Sequence, residues 1–156
     1  MFTMGHVLAI IGAALAVIGG GVGSALALNK TTNAVSGVCS ENPKLMSKVR
    51  IIQLLPASQG IYGFVVAFLL LSNCGLLGGT VAEMSVDSGF AMLIAALPCA
   101  VTAFVSAIYQ AKAGCAAINM VAKEPSMSGS GILMAAMIEF YAILGFLVSL
   151  LLVSNL

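Results

Sequence analysis

Charged residues are scarce in this chain of 156 residues. Only 7% are charged, 61% are hydrophobic, and the mean hydropathy is +1.15. A soluble domain carries about a quarter charged residues, so the composition excludes an ordinary soluble domain and predicts a membrane protein. The formal net charge of +1 leaves no basic surface for nucleic acid.

Catalytic motifs are also lacking. Gly19-Gly20-Gly21 lies in an apolar run without a following Lys-Ser or Lys-Thr, so it is not a phosphate-binding loop. His6 stands alone near the start of the chain, and we interpret it as an interfacial residue. The four cysteines show no CxxC spacing and are interpreted as small packing residues; they are Cys39, Cys74, Cys99 and Cys115. We therefore predict no catalytic site in this chain.

Four apolar runs are present, at roughly 7–28, 51–78, 88–111 and 131–155. Each is long enough to cross a bilayer as a helix. The third run stays mostly apolar to residue 122, and we expect its helix to continue there as a cytoplasmic extension. The alternative is that Lys112 snorkels to the interface. The sequence predicts an all-α integral membrane protein forming a single domain over 1–156.

The basic residues fall on one side of these runs. They lie in the segment 29–50 or near the end of the third run, and are Lys30, Lys44, Lys48, Arg50, Lys112 and Lys123. The connection between the second and third runs holds Glu83 and Asp87 and no basic residue. The positive-inside bias then predicts a multi-pass protein of the cell membrane, with cytoplasmic basic loops and both termini outside.

The chain contains an internal repeat. A shift of 82 residues places Ser24-Ala25 on Ser106-Ala107, Lys30 on Lys112 and Gly63-Phe64 on Gly145-Phe146. Such self-similarity predicts a duplicated helical hairpin, with repeat 1 at about 7–78 and repeat 2 at about 88–156. Under the same shift Glu139 falls on Ala57 and Gln110 on Leu28, so one ionisable membrane site is expected per chain.

Small residues recur every four positions in the first and third runs. Such lines let helix backbones approach closely in a membrane. They are Gly12, Ala16, Gly20 and Ser24 in the first run, and Ala95, Cys99, Ala103, Ala107 and Ala111 in the third. The pattern fits packing within one chain, and it also fits an inner circle of helices in an oligomeric ring.

Glu139 is the one acidic residue inside an apolar run; the other four fall in predicted connections. A carboxylate at this depth costs about 3 kcal/mol or more, so it indicates a functional site by default. The alternative is a structural hydrogen bond to a neighbouring helix.

Polar partners for this carboxylate are expected in the second and third runs. Ser58, Gln59 and Tyr62 lie close together in the second run, Gln110 lies in the third, and Pro56 loosens the backbone so that a carbonyl becomes available. A proton site needs few such groups, whereas a bare alkali cation needs several oxygens. The oxygen-only set therefore favours Na⁺ over H⁺.

Two segments carry a family resemblance, Gln53-Leu-Leu-Pro-Ala-Ser-Gln-Gly-Ile-Tyr-Gly-Phe64 and Ile138-Glu-Phe-Tyr-Ala-Ile-Leu-Gly-Phe146. With them, essentially the whole chain resembles the duplicated, four-helix proteolipid (c-type, or K) subunit of bacterial V-type ATPases. Sodium-translocating members have a similar segment with threonine where Ser58 stands. The hydroxyl is kept. Phe140 also departs from the threonine expected after the glutamate.

The resemblance implies a mechanism and a site. Copies form a ring that turns against a stator membrane subunit bearing a fixed cation, within lipid, and the ring joins central-stalk subunits. The implied Na⁺ ligands are Glu139, Gln110, Gln59, Ser58 and the carbonyl of Leu55, with Tyr62 hydrogen-bonding Glu139. A ring carrying H⁺ is the alternative in the same family. A small four-helix secondary antiporter is a further one, although its carboxylate usually lies in the first helix.

Overall fold

The computed structural model describes residues 3–78 and 83–156, and within these ranges the chain is helical with no strand. The α-helices are α1 (Met4–Glu41), α2 (Met46–Leu54), α3 (Ser58–Asn73), α4 (Val86–Lys123) and α5 (Ser128–Ser154). Three 3₁₀ turns adjoin them, at Pro43–Leu45, Leu55–Ala57 and Pro125–Met127.

These elements form four helices long and apolar enough to cross a membrane. They are α1, the continuous segment Pro43–Asn73, α4 and the segment Pro125–Ser154; we call them the first to fourth spans. The predicted all-α fold with four spans is confirmed.

Prolines set the ends of the two longest helices. Asn42 (φ −139°, ψ 90°) and Glu124 (φ −135°, ψ 91°) are both extended, because a following proline disfavours the helical conformation. α4 continues to Lys123, which confirms that the third helix extends past residue 111, while the cytoplasmic location of this part stays a prediction. Treating all of 29–50 as a connection was wrong, because α1 continues to Glu41. Glu41 and Asp87 accordingly lie in helix termini rather than in connections.

Both long helices exceed the thickness of a bilayer. Each has 38 residues, a length of about 57 Å at 1.5 Å per residue, against a hydrocarbon core of about 30 Å. α1 and α4 are therefore too long to lie wholly within the apolar layer.

Small residues of α1 lie against both α4 and α3. Gly12 and Gly23 are buried so closely that a Cβ atom would lie 2.8 Å from Cα of Leu93 and 2.9 Å from Cα of Phe104, respectively. The predicted small-residue lines are buried on both helices. Gly20 lies instead against the backbone of Gln59 and Gly63 on α3. Close backbone approach therefore occurs between the two repeats of one chain and also within the first repeat.

His6 contributes to the start of α1, and its interfacial position in the membrane stays a prediction. Its side chain is buried, and its Nδ1 accepts a hydrogen bond from the backbone N–H of Thr3 at 3.2 Å. The Thr3 hydroxyl donates to the carbonyl of Met84 at 2.8 Å. The first turn of α1 is thus closed by a capping box in which histidine takes the place of the usual Glu or Gln.

Candidate functional site

A break in the second span prepares one side of the site. Pro56 lacks a backbone N–H, so the helix cannot continue its regular bonding, and Leu55–Ala57 forms a 3₁₀ turn between α2 and α3. The carbonyl oxygen of Leu55 accepts from both the backbone N–H and the hydroxyl of Ser58, the latter at 2.9 Å. This turn brings a carbonyl and a hydroxyl together at the start of α3.

Gln59 extends the polar site from the 3₁₀ turn into the interior of the bundle. Its side chain is fully buried, and its Oε1 lies 3.4 Å from the Ser58 hydroxyl. Its Nε2 donates to Oε1 of Gln110 on α4 at 2.6 Å. The amide of Gln59 therefore joins the 3₁₀ turn to the third span.

Gln110 connects the third span to the fourth. It is fully buried, and its Nε2 donates to the carbonyl of Ala135 at 3.2 Å and to Oε2 of Glu139 at 3.5 Å. Glu139 itself is partly buried on α5. The carboxylate therefore faces a polar interior on one side.

Tyr62 holds the other oxygen of the carboxylate. Its hydroxyl donates to Oε1 of Glu139 at 2.8 Å. The tyrosine ring is stacked on Phe146, with the ring centroids 5.1 Å apart. This stacking restrains the ring, and so the hydroxyl is kept in position next to Glu139.

The structure thus brings all six residues singled out in the sequence into one connected network. In order, its members are Leu55, Ser58, Gln59, Gln110, Glu139 and Tyr62. Chemically, it combines one carboxylate with two hydroxyls, two amides and a backbone carbonyl. No cluster of three or more His, Cys, Asp or Glu residues accompanies it in the described ranges.

Ser106 is a member of the network that the sequence analysis missed. Its buried hydroxyl donates to the carbonyl of Ile138 at 2.9 Å and lies 3.5 Å from Nε2 of Gln59. It ties α4 to α5 one residue before Glu139. The signal available in the sequence was the alignment of Ser106 with Ser24 in the repeat. Because both serines lie among small packing residues, neither stood out as a site residue.

An open groove leads from the outer surface of the bundle to Glu139. It runs between the second and fourth spans, and its other lining residues are Ile51, Leu54, Leu55, Ala57, Ser58 and Ile61. Ile51, Leu54 and Ile61 are each more than half exposed. The carboxylate is therefore reached across an apolar surface.

Comparison with known proteins agrees with this arrangement. The family model that describes the C subunit of ATP synthase matches the chain twice, at residues 11–70 and 93–152. The chain belongs to this family. The second match begins and ends 82 residues after the first, which is the register of the internal repeat.

Three relatives match over most of the length of this chain. The V-type sodium ATPase subunit K of Enterococcus hirae is 43% identical over 151 residues, covering 97% of this chain and 93% of the relative. The A-type ATP synthase subunit K of Methanocaldococcus jannaschii is 35% identical, covering 94% and 61%. The 16 kDa proteolipid of the V-type proton ATPase of Ascaris suum is 30% identical, covering 91% and 86%.

Proposed function

We propose that this chain is the proteolipid of a rotary V-type ATPase and carries Na⁺ across the membrane on Glu139. The observation that carries the proposal is the oxygen-rich network around a single membrane carboxylate. The 43% identity to the Enterococcus hirae sodium ATPase subunit K supports the same ion. The ligands are Glu139, Gln110, Gln59, Ser58 and the carbonyl of Leu55.

The chemistry of these groups suits a hard monovalent cation. Na⁺ gives up its hydration shell only where several protein oxygens replace it, and oxygen ligands are what hard cations prefer. The carbonyl of Leu55, the Ser58 hydroxyl and Oε1 of Gln59 already lie side by side. Gln110 presents its nitrogen to Glu139, so ligation through its oxygen requires rotation of that amide.

Neutralisation of Glu139 explains how rotation is coupled to ion movement. An ionised carboxylate facing lipid is costly, whereas a carboxylate paired with a cation carries no net charge. Each copy therefore moves through lipid with its ion bound and exchanges it beside the fixed cation of a stator subunit. The groove beside Glu139 gives the ion its route in and out.

The proposal extends to the assembly. Copies of the chain form a rotor ring in the cell membrane, which contacts a stator membrane subunit and central-stalk subunits. The ring has no catalytic site, and ATP is turned over in another subunit. The basic loops face the cytoplasm and both termini lie outside, in keeping with the positive-inside bias. One ion crossing 100 mV involves about 2.3 kcal/mol, so several must pass per ATP.

Binding of radioactive Na⁺ to the purified protein tests this function. The unmodified chain is expected to bind one saturable Na⁺ per copy, and Glu139→Gln is expected to bind none while keeping its oligomeric size. Glu83→Gln is the matched control, because Glu83 is exposed in the connection between the second and third spans. Saturable binding that persists in Glu139→Gln would refute the proposed site.

A further inference from the structure

The side-chain amide of Gln59 has two chemically different ends, and only one of them can bind a cation. Its Oε1 carries lone pairs, whereas its Nε2 is a hydrogen-bond donor. Oε1 lies 3.4 Å from the Ser58 hydroxyl, and Nε2 is directed to residues of α4. Because the two ends have nearly the same size, packing alone does not select this orientation, and the hydrogen-bond partners of the amide decide it.

Ser106 presents to this amide an oxygen that can only accept a hydrogen bond. Its buried hydroxyl donates to the carbonyl of Ile138 at 2.9 Å. A hydroxyl has one proton and two acceptor lone pairs, so the Ser106 oxygen keeps only lone pairs for its other neighbours. Nε2 of Gln59 lies 3.5 Å from that oxygen. A reversed amide would place two oxygens against each other, and Ser106 therefore favours the orientation observed.

Gln110 supplies a second acceptor for the same nitrogen. Nε2 of Gln59 donates to Oε1 of Gln110 at 2.6 Å. In the proposed function, however, that oxygen turns towards the ion, since Gln110 presents its nitrogen to Glu139 in this structure. Of the two acceptors that the described residues give to Nε2 of Gln59, the Ser106 hydroxyl is then the one that remains.

We propose that Ser106 is a positioning residue that keeps Oε1 of Gln59 directed at the ion, and that it thereby favours Na⁺ over H⁺. This inference rests on the proposed function and adds a residue outside the proposed ligand set. Na⁺ requires several oxygens to replace its hydration shell, whereas a proton binds to the carboxylate of Glu139 alone. Loss of the Ser106 hydroxyl therefore weakens Na⁺ binding and leaves proton binding unchanged.

A purely structural role of Ser106 has different consequences. Its hydrogen bond to Ile138 connects α4 to α5 one residue before Glu139. If only this connection mattered, its loss would displace the carboxylate, and the binding of Na⁺ and of H⁺ would change together. The effect would also be independent of the Gln59 amide. Comparison of the two ions, and removal of that amide, therefore distinguish the two roles.

Binding of radioactive Na⁺ and labelling with a carbodiimide, both on the assembled protein, test the proposal. Ser106→Ala is expected to lower Na⁺ affinity about fivefold, as for loss of one neutral hydrogen bond. The pH dependence of Glu139 labelling without Na⁺ is expected to stay that of the unmodified chain. Ser24→Ala is the matched control, because Ser24 is the repeat counterpart of Ser106 and is likewise buried. Its Na⁺ affinity is expected to stay unchanged.

A double-mutant cycle tests whether Ser106 acts through Gln59. Gln59→Met replaces the amide by an apolar side chain of similar length and is expected to lower Na⁺ affinity about fivefold. The double variant with Ser106→Ala is expected to bind as Gln59→Met does, because no amide is left to orient. Independent effects would instead multiply to about 25-fold. If Gln59→Met binds too little Na⁺ for titration, the comparison of Na⁺ with H⁺ in Ser106→Ala decides.

The possible failures of this inference and of the proposed function are distinguishable. Equal Na⁺ affinity in Ser106→Ala and in the unmodified chain overturns the role of Ser106. A parallel change in Na⁺ affinity and in the pH dependence of labelling overturns it as well, as do independent effects in the double-mutant cycle. In all three cases the unmodified chain still binds Na⁺. An unmodified chain that binds no Na⁺ overturns the proposed function itself.

Discussion

At the scale of single residues, the hydrogen bond from Tyr62 to Glu139 positions the carboxylate of the site. The tyrosine hydroxyl bonds one carboxylate oxygen, while the Gln110 amide lies next to the other. Both oxygens are thus held from inside the bundle, although the outer groove reaches the same carboxylate. In the proposed function, an ion enters from the outer surface without exposing the polar interior to lipid.

Removal of the Tyr62 hydroxyl is expected to weaken Na⁺ binding. A hydrogen bond to a charged group contributes about 1.5–3 kcal/mol, so Tyr62→Phe should reduce Na⁺ affinity about tenfold or more. Titration of Na⁺ binding measures the change. The control is Tyr141→Phe, since Tyr141 is 67% exposed. Equal affinities in the two variants would contradict the role given to Tyr62.

Ser58 is expected to act through its hydroxyl alone. Ser58→Ala removes one neutral oxygen, worth about 1 kcal/mol, and should lower Na⁺ affinity about fivefold with little effect on thermal stability. Ser58→Thr keeps the hydroxyl and should restore the affinity. If alanine and threonine bind Na⁺ equally well at this position, the hydroxyl is not a ligand.

The identity of the site residues could be predicted better than the hydrogen bonds between them. A carboxylate in an apolar run stands out because its burial is costly, and Ser58, Gln59 and Gln110 are polar residues in equally apolar surroundings. Ser106 was missed because a serine among alanines is also an ordinary packing residue in a membrane helix. Its hydrogen bond to Ile138 depends on how far α4 is rotated, which composition does not determine.

At the scale of elements, Pro56 is the feature that shapes the site. Pro56→Ala supplies a backbone N–H that can donate to the carbonyl of Ile52. The Leu55–Ala57 turn should then become regular helix, in which the Leu55 carbonyl points towards the N–H of Gln59. We expect Na⁺ affinity to fall about fivefold, as for loss of one neutral ligand, without loss of thermal stability.

Pro43→Ala is the matched control for that substitution. It removes a proline from another 3₁₀ turn, Pro43–Leu45, which lies next to the end of α1. Na⁺ titration of both variants measures the difference. An unchanged affinity in Pro56→Ala would mean that the break is not needed to present the carbonyl.

The ends of the helices were predicted less well than their number. Apolar runs locate the part of a helix that crosses lipid, but a helix continues into water until its backbone is interrupted. In α1 that interruption comes at Asn42-Pro43, so the helix passes through Lys30 without a break. The second repeat ends its first helix in the same way, at Glu124-Pro125.

At the scale of the whole molecule, duplication gives two hairpins of the same fold and one site. The sequence alone left open whether the small residues pack within a chain or around a ring. The structure shows the contact between α1 and α4 of one chain.

Labelling of the assembled protein with a carbodiimide, which attacks protonated buried carboxyl groups, tests the central claim most directly. The reaction is followed with and without Na⁺ over a range of pH, and the modified residue is located by mass spectrometry. We predict that Glu139 alone is modified and that Na⁺ slows the reaction, because the ion and the proton compete for the same carboxylate. Modification of Glu139 that Na⁺ does not slow at any pH would contradict Na⁺ binding and indicate a ring that carries protons.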